Sequence, residues 1–98
     1  MNDKEYETML ILQEECAEVI QAVSKCFRFG IDQQYQDRVN RQRLEQELGD
    51  LLAMVDILCS KGVVDLDNLR VAKLAKIEKL HQWSNIFTET QVHEENIL

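Results

Sequence analysis

The sequence predicts an all-α protein, and three observations predict it: there is no proline, there are only three glycines, and Leu, Gln, Glu, Ala and Lys abound. Helix breakers are scarce and good helix formers common. A length of 98 residues allows one domain, because each separate core needs roughly 50–200 residues. The hydrophobic fraction of 45% is that of a globular chain, not a disordered one.

Each helix can be placed from its own signals. The first is expected to start at Asp3, read as an N-cap with acids in the following turn. Met9, Leu12, Cys16, Val19, Ile20 and Val23 recur at helical spacing, carrying it to about Phe27, with Gly30 as its stop. Residues 31–40 are polar and without period, and read as a connection with room for a short helical turn. A second helix is expected from Asn40 to Lys61, with Leu44, Leu48, Leu51, Val55 and Leu58 on one stripe and Gly62 as C-terminal cap. Asp65 or Asp67 caps a third helix through Trp83, which carries Leu66, Leu69, Ala72, Ile77 and Leu80. The core thus covers about residues 3–83, and the mixed tail, 84–98, is expected to be mobile or to dock on a neighbour. Three such helices make a sparse core. A helical bundle whose four-helix core is completed by dimerisation is the expected architecture.

The formal net charge of −7 argues against a nucleic-acid strand or an anionic membrane surface, both of which call for clustered Lys and Arg. No stretch approaches the roughly 20 apolar residues of a membrane span, and the charged N-terminus lacks a signal-peptide core. Three cysteines without a CxxC pair fit a reducing compartment. A cytoplasmic setting is expected.

The acids are the informative feature. On a wheel of about 100° per residue, Glu47 and Asp50 fall within the arc of Leu51, Met54, Ile57 and Leu58. Glu45, Gln46, Asp56 and Ser60 occupy the other side. The first helix repeats this with Glu15, flanked by Ile11, Val19 and Ala22, and with Glu18 at the edge of the arc; Glu14 and Gln21 face outward. Residues three apart on a helix are neighbours, so each pair can clasp one ion. Four acids facing one interior repel unless protons, Lys or Arg, or divalent cations offset them. An all-oxygen set suits Mg²⁺, with Mn²⁺ as substitute, whereas zinc prefers His and Cys. Di-iron fits poorly, because the single ExxH, Glu78 to His81, points away from the apolar stripe. Mg²⁺ commonly binds together with substrate phosphates, which points to a phosphorylated small molecule. Lys73 and Lys76 interrupt the stripe of the third helix, and Lys25 lies beyond the acid face of the first. They read either as stems snorkelling past a core edge or as phosphate contacts.

Glu14-Glu15-Cys16-Ala17-Glu18 reads EExxE, and Glu47-Leu48-Gly49-Asp50 reads ExxD after 28 intervening residues. With Ser24-Lys25-Cys26-Phe27-Arg28-Phe29-Gly30, this resembles the MazG-like all-α nucleoside triphosphate pyrophosphohydrolases, in particular short stand-alone members of bacteria and phages. That superfamily also includes dimeric dUTPases, dCTP pyrophosphatases and phosphoribosyl-ATP pyrophosphohydrolases. The resemblance covers roughly residues 5–80. It implies a homodimer or dimer of dimers, Mg²⁺ ligands at Glu15, Glu18, Glu47 and Asp50, and the reaction NTP + H₂O → NMP + pyrophosphate. Glu15 or Glu18 would deprotonate or orient the attacking water, and Lys25, Lys73 and Lys76 would meet the phosphates. Trp83, Phe27 or Phe29 could stack on the base, although packing is the commoner use of such rings. The third helix departs from a K-x-x-K-N-x-x-R-like string, with Ile77 and Leu80 in the last two places. The competing readings are a phosphoribosyl-ATP pyrophosphohydrolase-like enzyme, which usually has a His where Met54, Val55 and Asp56 stand, and a non-catalytic helical dimer that binds metal or nucleotide.

Overall fold

The computed structural model describes residues 1–87. Its elements are α1 (Asp3–Phe29), β1 (Gln34–Tyr35), β2 (Arg38–Val39), α2 (Asn40–Ser60) and α3 (Leu66–Trp83). All three expected helices form, and the all-α class holds apart from one small hairpin. The chain divides into two compact units, Met1–Val63 and the part from Val64 onward. No helix among the described residues is long and apolar enough to cross a membrane.

The helix ends follow from local chemistry. The N-cap of α1 is Asn2, one residue before the expected Asp3, and its Oδ1 accepts from the Glu5 N–H at 2.8 Å. Asp3 instead stands in the first turn, where its charge favours the positive end of the helix dipole. α1 runs two residues past Phe27 and stops at Gly30, whose φ of +100° is open to glycine and costly for other residues. α2 ends in a Schellman arrangement. Gly62, at φ +73°, donates to the Cys59 carbonyl, and Val63 donates to the Leu58 carbonyl, both at 3.0 Å. Asp65, not Asp67, caps α3 by accepting from the Asn68 N–H at 3.0 Å.

Between α1 and α2 the chain makes a two-stranded antiparallel hairpin, with Gln34 opposite Val39 and Tyr35 opposite Arg38. This corrects the expected helical turn. Gln36 takes a φ of +57° at the hairpin tip, and a left-handed residue interrupts any helical run. The Asp32 carboxylate takes a forked pair of bonds from Arg41, at 2.9 and 3.2 Å, which ties the loop to the first turn of α2. Arg38 is bonded to Gln46 on the same helix. Val39 has no side-chain oxygen to cap α2, but Gln42 reaches back to accept from the Val39 N–H at 3.1 Å.

In the first unit α1 packs on α2. The pairing is antiparallel, because Asn40 meets Lys25 while Glu47 and Asp50 meet Glu15. Ala22, Met54 and Leu58 are its buried apolar residues, and Ile11, Leu12, Val19, Leu44 and Leu51 are half-buried around them. Thr8 is buried too, with its hydroxyl donating to the Lys4 carbonyl at 2.7 Å. The apolar stripe expected on α1 is therefore split between two faces. Leu12 and Val19 lie on the inner one, whereas Met9, Ile20 and Val23 are exposed together with Tyr6 and Phe27. Those five positions fall on one 3–4 register, 6, 9, 13, 16, 20, 23 and 27, with the exposed Gln13 and Cys16 in the two places between Met9 and Ile20.

In the second unit no α3 residue is fully buried. Leu69, Ile77 and Leu80 are half-buried. After the helix, the Phe87 ring stacks on His81 with centroids 4.3 Å apart.

Asn40 is the most buried side chain of the first unit, 1% exposed. Its Nδ2 donates to the Gly30 carbonyl at 2.9 Å and to the Lys25 carbonyl at 3.5 Å. Two carbonyl partners fix the orientation of the amide, since a carbonyl cannot donate. The first residue of α2 is thereby fastened to the last turn of α1. Asn40→Ala should cost about 1–3 kcal/mol in urea denaturation, and Asn40→Asp should cost more, because it sets a carboxylate against two carbonyl oxygens. An unchanged urea midpoint in Asn40→Ala would show that the helices do not depend on this link.

Candidate active site

The pairing of α1 with α2 brings three of the four expected acids together. Carboxylate oxygens of Glu15, Glu47 and Asp50 all lie within 4.8 Å of one another. Glu15 and Glu47 are half-buried and Asp50 is exposed. Glu18 stands outside this set, exposed one turn further along α1, yet close enough to add to the field on Glu15. Among the described residues no other group of three potential ligands forms. The Glu47/Asp50 pair thus meets Glu15 across the helix interface, whereas Glu18, expected with them, stands apart from the set.

Electrostatics mark Glu15 as the focus. Desolvation raises its pKa above the ordinary glutamate range, and the charges of Asp50, Glu47, Glu18 and Glu14 push it further in the same direction. Glu14, exposed on the outer side of α1, therefore contributes charge to the site without joining the cluster.

A polar cavity of about 40 Å³ adjoins the cluster and shares Glu47 with it. Its other walls are Glu18, Gln21, Ala22, Lys25 and Arg43. Lys25 is half-buried here, beside the acids, as expected. Arg43 is the residue that sequence reasoning missed. It precedes Glu47 by four residues and so shares its helix face, a signal that was available on the same wheel. Lys73 and Lys76 are exposed on α3 in the second unit, and Trp83 ends that helix 82% exposed.

All three clustered ligands are carboxylate oxygens, with no Cys or His among them, which suits a hard cation such as Mg²⁺ or Mn²⁺. These oxygens, within 4.8 Å of one another, lie near enough for one such cation to draw them together. The residues fit a divalent cation.

A family model described as the MazG nucleotide pyrophosphohydrolase domain matches residues 4–84. The chain belongs to that family. The matched stretch holds α2, α3 and all but the first residue of α1, as well as both acid motifs, in agreement with the resemblance those motifs carry. The family is one of hydrolases acting on nucleotides, so an enzyme of this broad class is supported. No curated protein and no solved structure matches the chain.

The raised pKa of Glu15 has a definite sign for stability. The folded chain holds this proton more tightly than the unfolded chain does. Stability therefore falls as pH rises from the ordinary glutamate value through the raised one, and the loss is complete above it. In EDTA, wild type should lose more melting temperature between about pH 5 and pH 8 than Glu15→Gln, which has no proton to give up. A divalent cation should raise the wild-type melting temperature more at the upper pH than at the lower. Parallel pH profiles for wild type and Glu15→Gln would reject the assignment.

Proposed function

We propose that this protein hydrolyses (deoxy)nucleoside triphosphates to the monophosphate and pyrophosphate, with Mg²⁺, or Mn²⁺ in its place, held by Glu15, Glu18, Glu47 and Asp50. One observation carries the reading. The carboxylates that converge across α1 and α2 belong to the EExxE and ExxD motifs, inside the stretch matched to a pyrophosphohydrolase family. When bound, the cation supplies charge neutralisation for the phosphate oxygens and lowers the pKa of water in its shell.

The remaining roles fall to side chains. Glu15, the α1 member of the acid group, is assigned as proton acceptor for the water that attacks the α-phosphorus. Glu18, exposed beside it, orients that water. The water oxygen bonds to the α-phosphorus, the bridge to the β-phosphate breaks, and pyrophosphate leaves with the electron pair. The proton taken up by the carboxylate passes to solvent. Lys25 lines the cavity next to Glu47 and offsets the charge that develops on the leaving group. Lys73, Lys76 and Trp83 are assigned to the nucleotide on chemistry alone, as two exposed cations and an exposed indole.

The assembly we infer is a homodimer or a dimer of dimers, in which a second copy covers the exposed apolar seam of α1 and the 98 residues act as one domain. This makes up the four-helix core that two packed helices lack. Housecleaning of the nucleotide pool in the cytoplasm is the cellular role in keeping with a net charge of −7 and with a small-molecule substrate.

A pyrophosphate-release screen over standard, deoxy and oxidised nucleoside triphosphates, with and without EDTA, tests the reaction. Wild type should turn over at least one of them only with the divalent cation present. Glu47→Gln and Asp50→Asn should each lower kcat/KM by roughly 100-fold or more while the circular-dichroism melt stays cooperative. Folded, stabilised variants together with an inactive wild type would make the chain a non-catalytic bundle.

A further inference from the structure

The exposed register of α1 lies on the flank of the helix pair turned away from the acids. With Glu15 and Glu47 taken as zero at about 100° per residue, the cavity residues Glu18, Lys25 and Arg43 fall at about 300°, 280° and 320°. Met9, Cys16 and Val23 fall at about 120°, 100° and 80°, on the other flank of α1. In an antiparallel pair equal angles lie on one side of both helices. Exposed Leu48 and Leu52, at about 100° and 140° on α2, therefore widen the same flank. The register positions from Tyr6 to Phe27 hold no charged residue.

The two halves of that register differ in shape and in charge. The N-terminal half is hollow, with Tyr6, Met9, Gln13 and Cys16 among the walls of an apolar groove of about 330 Å³. The C-terminal half protrudes, with Ile20 69% and Phe27 86% exposed. Cys16 is the middle position of the row. At the ends, the first turn of α1 carries Asp3 and Glu5, and the last turn carries Arg28. Turned end for end about Cys16, α1 therefore fits a second α1: the ridge enters the groove, and acids meet Arg28 at both ends. Parallel pairing would set ridge on ridge and acid on acid. A 3–4 register is the spacing at which one helix seats on another, and a two-fold contact requires a self-complementary surface of this kind.

We propose that two copies pair α1 against α1, antiparallel and centred on Cys16, with Phe27 of each seated in the partner's groove, and that each copy's acid cluster stays open on the far flank. The inference rests on the two-copy assembly proposed above and adds its face, its direction and its centre. A contiguous apolar surface on a small protein marks an interaction site, and a second copy is the occupant whose shape and charge the register itself supplies. Because the acids converge within one α1–α2 pair, this pairing leaves the cation site whole in each copy.

Sedimentation velocity and thiol cross-linking test this. With Cys26→Ala and Cys59→Ala in place, a short bismaleimide should join two copies through Cys16. With Cys16→Ala and Tyr6→Cys added it should not, because antiparallel pairing holds the two thiols about 30 Å apart. Ile20 is largely exposed in the single chain, so Ile20→Glu should keep a cooperative melt. It should raise the dissociation constant of the pair roughly 30-fold or more and bind Mn²⁺ within about twofold of wild type. An unchanged dimer in Ile20→Glu, or a link through Tyr6→Cys as strong as that through Cys16, overturns the proposal and leaves a two-copy assembly by another face or direction. A wild type that stays monomeric at high concentration overturns the proposal and that assembly together. An Ile20→Glu monomer that is folded but no longer holds Mn²⁺ overturns the separation of interface from site. Hydrolysis is read separately by pyrophosphate release, so a dimer linked through Cys16 that releases none upholds the pairing and sinks the hydrolase reading alone.

Discussion

Like-charge repulsion among Glu15, Glu47 and Asp50 is the constraint to which the rest of the first unit answers. Their oxygens lie within 4.8 Å of one another, so their charges repel at short range. Packing must hold them against that force. The fastening lies elsewhere, at the other end of the helix pair, where buried Asn40 joins the carbonyls of Lys25 and Gly30. A slip of one residue turns a helix face by about 100° and would carry Glu47 out of reach of Glu15. The buried amide and the acid cluster are therefore two ends of one register.

The placement of charge gives the acidic composition a different meaning. A net −7 argues against a long polyanion that would track the surface, since affinity for one grows with each neutralised phosphate. It does not exclude a short polyphosphate met at one point. Local sign matters there, and the acids next to the cavity face Lys25 and Arg43. An oxygen-only cluster beside a cavity lined by Lys25 and Arg43 reconciles the acidic composition with the anionic substrate proposed above.

Much of this was legible in the sequence, for identifiable reasons. Helix positions followed from the near absence of breakers, and Gly62 and Asp65 end and start helices through backbone rules that act within a turn. Glu15, Glu47 and Asp50 could be assigned because the wheel converts spacing into direction. The hairpin could not, because Gln36-Asp37 lacks the glycine that two-residue turns favour and its strands are too short to show alternation. Asn2 cannot be told from Asp3 as the cap by sequence, because Asp3 offers the same chemistry one residue later. The stripe on α1 merged two faces, since Leu12 and Val19 sit close to Met9, Cys16 and Val23 on the wheel and only the partner helix separates them. Arg43 was missed for a related reason. An arginine in the first turn of α2 reads as a solvated charge until the loop before it supplies Gln36 and Asp37 as partners.

Antiparallel pairing sets two short rows of side chains side by side, and they change sign in the same direction. Along α1 the row runs from Glu15 through Glu18 and Gln21 to Lys25; along α2 it runs from Asp50 through Glu47 to Arg43. At about 1.5 Å of rise per residue, these rows span roughly 10–15 Å, enough for a triphosphate and its metal. Glu15 and Glu47 are half-buried, while Glu18 and Asp50 are exposed, so the row has an inner floor and an open edge. A ligand approaching that edge meets acids at one end and cations at the other. Only a molecule that is itself polarised, positive where it carries metal and negative where its phosphates end, gains at both. For the hydrolysis proposed above, that gradient would orient a triphosphate with its α-phosphorus by the carboxylates and its departing pyrophosphate by the cations.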